Sequence, residues 1–473
     1  MRKILYVLLL SAALCAESHS QDSTFFYSAG INAVGSTAGV PFWLYANRNA
    51  TMPEKGSFVQ GAASFHRLYN KNNPRFFQWS GGAELIGYAG KKNDAFFTDL
   101  FIAGKAGPVE LSIGQRREFM GLGDSLLTMG PIAMSPNYRP YPKIQISTPN
   151  FVSLIPGNDI VSFKFSYGDG LLGSAAVHYG NVRSVPDVYL HQKSLYLKLG
   201  KRSHRLNVFG GFNHQAMWGG ENKIYTGGLK RGKAYEYVVF GKPWAHSRVG
   251  NHFGTIDVAA EWKGKKWDIF LYRQTIYEDG SLKNLSTVSD GLSGLRFKRR
   301  QKGENVPAFR FNTLLFEFLY TKNQGGAIFD YLNGIFGKDN YFNHYVYNQG
   351  WSYRGNSLGT PMIAPQATTR EELFISKSAF TANNRIVAYH LGAEASWKKV
   401  NFLLKGSFSQ NSGTFDNPIE PVANQTSLLL RIEAPLLSKK NDVFGLSLAS
   451  DFGQLYTQNM AVMVSWRKSG FIW

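Results

Sequence analysis

The sequence predicts an all-β protein, a transmembrane antiparallel barrel of about 18 strands whose long loops carry a short helix. Three observations predict this fold: apolar and polar residues alternate with period two, the alternating segments run to about 9–12 residues, and short turns alternate with long connections. Of the 473 residues, 44% are hydrophobic, 15% aromatic and 18% charged. That apolar fraction excludes a disordered chain, and the single cysteine excludes a disulfide scaffold.

The first twenty residues have the features of a secretory signal peptide. Met1-Arg2-Lys3 is a basic start, residues 4–14 are apolar, and small and polar residues lead to a cleavage position before Gln21. The apolar stretch is too short for a spanning helix. We therefore predict a signal peptide over 1–20, which removes Cys15, and a Gram-negative outer-membrane barrel over 21–473.

The alternating segments form the predicted wall of the barrel. In one of them Leu195, Leu197 and Leu199 oppose Tyr196 and Lys198. A tilted strand crosses a membrane in about 9–11 residues, whereas strands of soluble sheets average about 5–6, so these segments favour a membrane barrel. The predicted strands begin near Thr24, Ser57, Phe76, Phe96, Val109, Ile160, Leu171, Ser194, Arg205, Gly254, Lys266, Gly291, Arg310, Arg385, Val400, Gln425, Val443 and Gln458.

The connections between segments fall into two classes. Short turns are predicted at Asp169-Gly170, Lys263-Gly264-Lys265 and Lys398-Lys399, and long connections over 118–158, 214–252, 321–384 and 410–424. Short turns on one side and long loops on the other are typical of outer-membrane barrels. Within the third long connection, residues 327–336 (AIFDYLNGIF) predict a short helix.

Aromatic residues at segment ends support the membrane interpretation, because tryptophans gather at membrane interfaces. The tryptophans in question are Trp79, Trp262, Trp267, Trp397 and Trp466. The chain also stops on Phe471-Ile472-Trp473. Outer-membrane barrels commonly end on an aromatic residue that the barrel-assembly machinery recognises, so this machinery is a predicted partner.

Candidate catalytic residues are sparse, and we predict that the chain is not an enzyme. Gly123 to Leu126 spell the GDSL-hydrolase motif, but a Ser125 nucleophile needs a histidine base, and none of the ten histidines has an Asp three residues before it. A turn capped by Asp124 is the alternative. The carboxylates Asp257, Glu261 and Glu394 could share one lumen, where pairing with Lys198, Lys263 and Lys405 is favoured over glycosidase chemistry. No cofactor and no metal site is predicted.

The loops combine aromatic, amide and basic side chains in the way that sugar recognition requires. Flat rings stack on sugar C–H faces, while amides and guanidinium groups bind hydroxyls and carboxylates. The alternative is that the same residues pack the loops over the barrel mouth. The formal charge of +20 favours an acidic polysaccharide, or outer-membrane lipid and lipopolysaccharide, as partner, and does not favour nucleic acid in an exported protein. The candidate glycan-binding residues are Trp218, Trp244, His246, Arg248, Trp351, Tyr353 and Arg354.

An ordered set of short stretches resembles the Wzi-type capsule assembly family, in the form common in Bacteroidetes. The stretches are 41–48 (PFWLYANR), 121–127 (GLGDSLL), 135–142 (SPNYRPYP), 250–252 (GNH), 277–280 (YEDG), 290–292 (DGL) and 341–359 (YFNHYVYNQGWSYRGNSLG). The resemblance implies an 18-stranded outer-membrane barrel with a lectin-like, non-enzymatic role, which tethers capsular or exopolysaccharide at the cell surface. A periplasmic helical bundle of the family's best-studied branch has no evident counterpart between Gln21 and Ser57.

Two other functions stay open from the sequence. An 18-strand barrel is wide enough for an aqueous lumen, so a porin or sugar-conducting channel is the main alternative. An outer-membrane enzyme that acts on lipid or glycan is the second, with Ser125 as its visible nucleophile. Steady conductance in planar bilayers would favour the channel.

Overall fold

The computed structural model describes residues 24–70, 72–244, 247–278, 286–300, 307–330, 333, 335–436 and 441–472. The predicted signal peptide lies outside them. In chain order, the strands are β1 (Phe25–Ser36), β2 (Phe58–Arg67), β3 (Phe77–Gly90), β4 (Asp94–Ala106), β5 (Val109–Gln115), β6 (Lys143–Ser147), β7 (Val152–Ile155), β8 (Asn158–Ala176), β9 (Ser184–Leu199), β10 (Leu206–Trp218), β11 (Pro243–Trp244), β12 (Ser247–Arg248), β13 (Asn251–Lys263), β14 (Trp267–Glu278), β15 (Gly291–Arg299), β16 (Phe309–Tyr320), β17 (Phe329–Asp330), β18 (Ile335–Phe336), β19 (Ser352–Tyr353), β20 (Asn356–Ser357), β21 (Ile386–Trp397), β22 (Val400–Gly413), β23 (Pro418–Pro435), β24 (Asp442–Gly453) and β25 (Asn459–Ile472).

The helices are few and lie in the loops. They are α1 (Phe42–Tyr45), α2 (Glu221–Ile224) and α3 (Arg231–Phe240), with two 3₁₀ turns at Gln366–Thr368 and Glu371–Leu373. In the described part of the chain, no helix is long and apolar enough to cross a bilayer. The prediction of loops that carry a short helix is confirmed by α3.

The wall is one closed antiparallel sheet of 18 strands, as predicted. Each wall strand pairs with its neighbours in sequence, and β1 closes the ring by pairing along its whole length with β25. The pieces β6 and β7 both pair with β8 and together make one wall strand. The pairs β11–β12, β17–β18 and β19–β20 are two-residue hairpins in the loops.

The two faces of the wall follow the predicted alternation. On β9, Leu195 and Leu199 are 46% and 54% exposed, while Tyr196 between them is 3% exposed. On β25, Val462 and Val464 are exposed and Met463 is buried. The apolar side of each strand therefore points outward, toward lipid, and the opposite side points into the lumen.

Two predicted boundaries in the first half of the chain are wrong, although the strand count is right. The strand β8 runs through Asp169-Gly170 without a break, where a turn was predicted. The connection predicted over 118–158 contains β6 and β7. The sequence predicted two strands in place of β8 and none in place of the wall strand made by β6 and β7, so the two errors cancel in the total.

Two further predictions fail in the second half of the chain. The connection predicted over 410–424 is short, because β22 continues to Gly413 and β23 begins at Pro418. The helix predicted over 327–336 is not present among the described residues of that stretch, where β17 pairs with β18 as a hairpin instead.

The barrel has two different ends. At the short-turn end lie brief connections such as 264–266 and 398–399, together with Trp79, Trp262, Trp267 and Trp397 at the strand termini. Trp466 lies nearer the middle of β25. At the long-loop end lie 37–57, 116–142, 219–250 and 321–385. Trp79, Trp262 and Trp397 are each about half exposed, as an interfacial ring requires.

Candidate functional site

Three loop segments enter the lumen from the long-loop end and form a plug. They are 40–46, 127–135 and 341–364, and their largest side chains are almost fully buried. Glu317 on β16 holds the second segment, because its carboxylate accepts hydrogen bonds from Thr128 Oγ1 and from the N–H of Met129, both at 2.6 Å. Tyr272 on β14 donates to the same carboxylate. A buried carboxylate with three donors fixes this segment against the wall.

The first segment of the plug is anchored through α1. Trp43 is 1% exposed, and its indole Nε1 donates to Ser407 Oγ at 3.0 Å, at the middle of β22. The Nζ atom of Lys405 lies over the Trp43 ring, 4.7 Å from its centroid. The N–H of Phe42 donates to Asp451 at 2.9 Å. This helix therefore reaches about halfway down the lumen.

The third segment packs on the second and includes three of the predicted glycan-binding residues, Trp351, Tyr353 and Arg354. Trp351 is fully buried, and its Nε1 donates to the carbonyl of Ala133 at 2.8 Å. The N–H of Ser135 donates to the carbonyl of Leu358 at 2.8 Å. Trp351 offers no ring face to a ligand in this arrangement, so its position matches the alternative of loop packing.

A groove crosses the barrel mouth above the plug, and we call it the mouth groove. It consists of two adjoining cavities of about 680 and 510 Å³ that share Glu54, Lys55 and Ala367. Its aromatic side chains are Tyr45, Tyr88, Tyr456 and the half-exposed Phe374. Side-chain amides of Asn93 and Asn356 also line it, whereas the amide of Gln366 is occupied by hydrogen bonds within its own loop.

The mouth groove presents exposed cations that form no salt bridge with any described residue. Lys55, Lys91, Lys92 and Arg354 are exposed, and in the described part of the chain no carboxylate lies within salt-bridge distance of them. The fifth cation, Arg139, is neutralised by Asp94 at 2.7 Å. Burial raises the pKa of Glu54, while Lys55 and Lys92 oppose this rise. Glu371 and Asp451 line the groove together with Glu54 and Asp94, so the groove carries both signs of charge, and its four exposed cations are not neutralised by direct ion pairs within the described ranges.

A tight turn aims Arg354 into the groove. Arg354 and Gly355 join β19 to β20, and both have positive φ, +50° and +83°, the combination of a type I′ hairpin. A left-handed conformation costs an arginine roughly 1–2 kcal/mol relative to its normal backbone. Arg354 Nε donates to Tyr353 Oη at 3.2 Å, so the buried Tyr353 supports the guanidinium from below.

The other predicted residues lie elsewhere. Trp218 points to the outside of the wall, where it packs on Tyr235 of α3 with ring centroids 5.5 Å apart. Trp244 packs against Tyr225 at 5.2 Å, and Arg248 donates to the carbonyl of Gly241. His246 lies outside the described residues. Of the seven candidates, only Arg354 lines the mouth groove, with the buried Tyr353 beneath it.

The sequence reasoning missed most of the residues that line this groove. Lys91-Lys92 in the short loop between β3 and β4 was a usable signal, because it is a pair of adjacent cations at the long-loop end. Lys55, Tyr88 and Phe374 carry no local signal, since only the fold brings them together.

The remaining candidate chemistry has structural explanations. Asp124 accepts hydrogen bonds from the N–H of Leu126 at 3.0 Å and of Leu127 at 2.9 Å, which confirms the predicted turn cap. Glu261 lies 3.7 Å from Lys263, whereas Asp257 is bound by the neutral donors Tyr196, Asn213 and Gln274 rather than by a lysine. Among the described residues, no group of three or more His, Cys, Asp and Glu side chains could hold a metal ion.

Comparisons with known proteins show what this barrel is similar to. No known family description matches the sequence. No curated protein gives a significant match. Among solved structures, the chain is similar to Wzi, described as an outer-membrane protein involved in group 1 capsule assembly in Escherichia coli and a carbohydrate-binding β-barrel, with a TM-score of 0.57, 13% identity, and coverage of 97% of this chain and 86% of that one.

Two further solved structures are more distant. OccK5 of Pseudomonas aeruginosa gives a TM-score of 0.47 at 10% identity, over 97% of this chain and all of that one. OccAB2 of Acinetobacter baumannii gives a TM-score of 0.48 at 9% identity, over 96% of this chain and 99% of that one. At these identities the likeness concerns the fold alone, and membership of the Wzi-type family stays a prediction. The chain is an outer-membrane β-barrel with a Wzi-like fold.

Proposed function

We propose that this chain is a non-catalytic outer-membrane protein that binds an acidic capsular or exopolysaccharide in the mouth groove and anchors it at the cell surface. The observation that carries the proposal is the set of four unpaired cations beside aromatic and amide side chains at the long-loop end. The description of Wzi as a carbohydrate-binding barrel supports it by analogy of fold.

The chemistry of the groove suits a polyanion with a sugar backbone. Lys55, Lys91 and Lys92 provide exposed point charges, and Arg354 provides a fork that matches a carboxylate. Phe374 and Tyr88 provide flat faces for sugar C–H groups. Each exposed contact is weak, but a polymer that repeats its charge along the groove gains from multivalency.

Binding without turnover is the simplest use of these residues. Ser125, the visible nucleophile, makes no hydrogen bond to a histidine in the described part of the chain, and Asp124 beside it is occupied as a turn cap. We place the channel function second, because the plug is bonded to β14, β16 and β22 across the lumen. Silent planar bilayers are expected for the purified protein, and steady open channels would favour the alternative.

A matched pair of variants tests the groove. Lys91→Gln with Lys92→Gln removes two cations at the long-loop end, and Lys265→Gln with Lys266→Gln removes two at the short-turn end. Binding to acidic polysaccharide from the producing strain is measured in detergent, with dextran as a neutral control. The first pair, combined with Arg354→Gln, is expected to weaken binding about tenfold, because each exposed charge contributes a fraction of a kcal/mol.

The control pair is expected to bind like the wild type. Equal losses in both pairs, or equal binding of dextran, would refute a specific groove. In cells, deletion of the gene should release polysaccharide into the medium without stopping its synthesis, and unchanged cell-bound polymer would contradict the anchoring role.

A further inference from the structure

The outer face of the wall breaks the alternation pattern at one place. Polar side chains occupy lipid-facing positions near the long-loop ends of β8, β9, β10 and β13, in line with the exposed Leu171, Leu195 and Ile256. Charged groups on the lipid face of a barrel are costly. The residues, which we call the outer polar cluster, are Asp169, His191, Lys193, His214 and His252.

Helix α3 covers this cluster from outside the barrel. Tyr235 of α3 donates to Asp169 at 2.7 Å and exchanges a hydrogen bond with Tyr167 at 2.8 Å. Lys193 donates to the carbonyl of Val239 on the same helix. His191 lies 2.9 Å from Asp169 and is fully buried. The loop 219–250 is therefore folded down over the outer wall, so that α3 lies beside the membrane rather than over the mouth.

An apolar groove of about 690 Å³ lies between α3 and the wall, and we call it the outer groove. Its wall side includes Ile113, Ile144 and Leu171, which are 50%, 57% and 41% exposed and point toward lipid. Its helix side includes Gly232, beside which a Cβ atom would meet open space. A groove of this composition fits a hydrocarbon chain.

The rim of the outer groove is cationic. Lys230 and Arg231 are exposed at the start of α3, and Arg231 stacks over Tyr189 with 4.5 Å between its Cζ and the ring centroid. Lys233 and Lys242 both pair with Glu236, at 2.9 and 2.5 Å, whereas no carboxylate in the described part of the chain pairs with Lys230 or Arg231. These two cations have no ion-pair partner among the described residues, and Asp169, the carboxylate that also lines the groove, is held by His191 and Tyr235.

A buried donor points to the same ligand. Trp218 lines the outer groove and is 4% exposed, and its indole Nε1–H has no hydrogen-bond partner among the described residues. Unpaired buried donors are uncommon, because each costs about 1–3 kcal/mol. An ester or amide carbonyl at the head of an acyl chain would satisfy it.

We propose that the outer groove binds one acyl chain of a phosphorylated glycolipid of the outer leaflet, lipopolysaccharide, with a lipid phosphate on Arg231 and Lys230. The long-loop end places the groove on the leaflet that lipopolysaccharide occupies. A second apolar groove, of about 640 Å³ around Phe316 and Tyr389, has no cation in its lining and fits ordinary lipid contact instead. The lipid site does not depend on polysaccharide binding at the mouth.

Native mass spectrometry of the full barrel tests the proposal. The probes are bisphosphorylated lipid A, its dephosphorylated form and phosphatidylglycerol, each added to the protein in mild detergent. Arg231→Gln removes the cation, and Gly232→Leu fills the groove from a position where an added Cβ atom meets no neighbour. Lys223→Gln, an exposed cation of the same loop outside the groove, is the control.

The wild type and Lys223→Gln should retain bisphosphorylated lipid A. Arg231→Gln should retain about tenfold less, the effect of one lost strong contact, and Gly232→Leu should retain less because its side chain occupies the space of the acyl chain. The dephosphorylated lipid should be retained less by the wild type. Equal retention by all four proteins, or no retention by the wild type, would overturn the site. If phosphatidylglycerol were retained equally well, the groove would accept any anionic lipid, and the assignment to lipopolysaccharide would be overturned.

Discussion

Replacement of Glu317 by alanine should release the plug while the barrel stays closed. The substitution leaves the N–H of Met129 and the hydroxyls of Thr128 and Tyr272 without their acceptor in a buried site. Each unpaired buried donor costs about 1–3 kcal/mol, and loss of a buried charged partner costs about 3–5 kcal/mol in total. At about 1.4 kcal/mol for each factor of ten, the open population of this segment should rise by about two to three orders of magnitude.

Hydrogen exchange measured by mass spectrometry reports this change directly. Amides of 127–135 should lose protection in Glu317→Ala, while amides of β1 and β25, which close the ring, should keep theirs. Glu317→Gln retains one acceptor oxygen and should give a smaller effect. Single-channel recordings should show brief openings in the alanine variant that the wild type lacks.

A second lumen carboxylate provides the matched control. Glu261 lies near the short-turn end, where it accepts from Asn207 at 3.3 Å and makes no bond to the plug. Glu261→Ala should leave exchange of 127–135 unchanged. If the amides of 127–135 also exchanged in Glu317→Ala as they do in the wild type, the Glu317 carboxylate would not hold this segment of the plug against the wall, and the reasoning would be refuted.

Three further outcomes follow from the structure. Trp43→Ala should cost about 3–5 kcal/mol locally and raise proteolysis within 37–57, because the ring is buried against the wall. Tyr235→Phe should loosen α3 and speed trypsin cleavage after the already exposed Lys233, since it removes the hydrogen bonds to Asp169 and Tyr167 and cleavage requires the helix to unwind. Burial, with a smaller contribution from His252, lowers the pKa of His344 from 6.5 to about 3, so the folded loop favours the neutral ring. The stability that the neutral His344 ring contributes is complete above about pH 6.5 and is lost as the pH falls toward 3. Hydrogen exchange of the amides of 341–350 should therefore rise at about pH 5. His344→Asn keeps an acceptor for the N–H of Val346 and should abolish that rise.

The wall could be predicted from the sequence because its determinant is local. Period-two alternation sets the face of every side chain, and strand length sets the span, so β9 and β25 were recognisable by themselves. Local signals also explain the errors. Asp169-Gly170 has turn composition, yet cross-strand pairing with β6 and β9 carries β8 through it. The short β6 follows a proline-rich stretch that resembles a loop.

The mouth groove could not be predicted in the same way, because its residues are joined only by the packing of the plug. Trp351 and Arg354 are three residues apart, and both residue types are suited to sugar binding. One is fully buried against Ala133 and the other stands exposed on a type I′ turn. Burial of this kind depends on contacts between 127–135 and 341–364, which lie far apart in the chain, and no local pattern reports them.

The position of Trp218, by contrast, was open to prediction from the alternation itself. On β10 the outward positions continue from Val208 through Phe212 and His214 to Trp218, so its ring had to face away from the lumen. His214 on that face, with Lys193 beside it on β9, contradicts a lipid-facing surface. A barrel can keep such residues only if a segment of its own chain covers them, and the nearest long connection is the one that follows Trp218. The break in the pattern therefore predicts a loop folded over the outer wall, which is the place that α3 occupies.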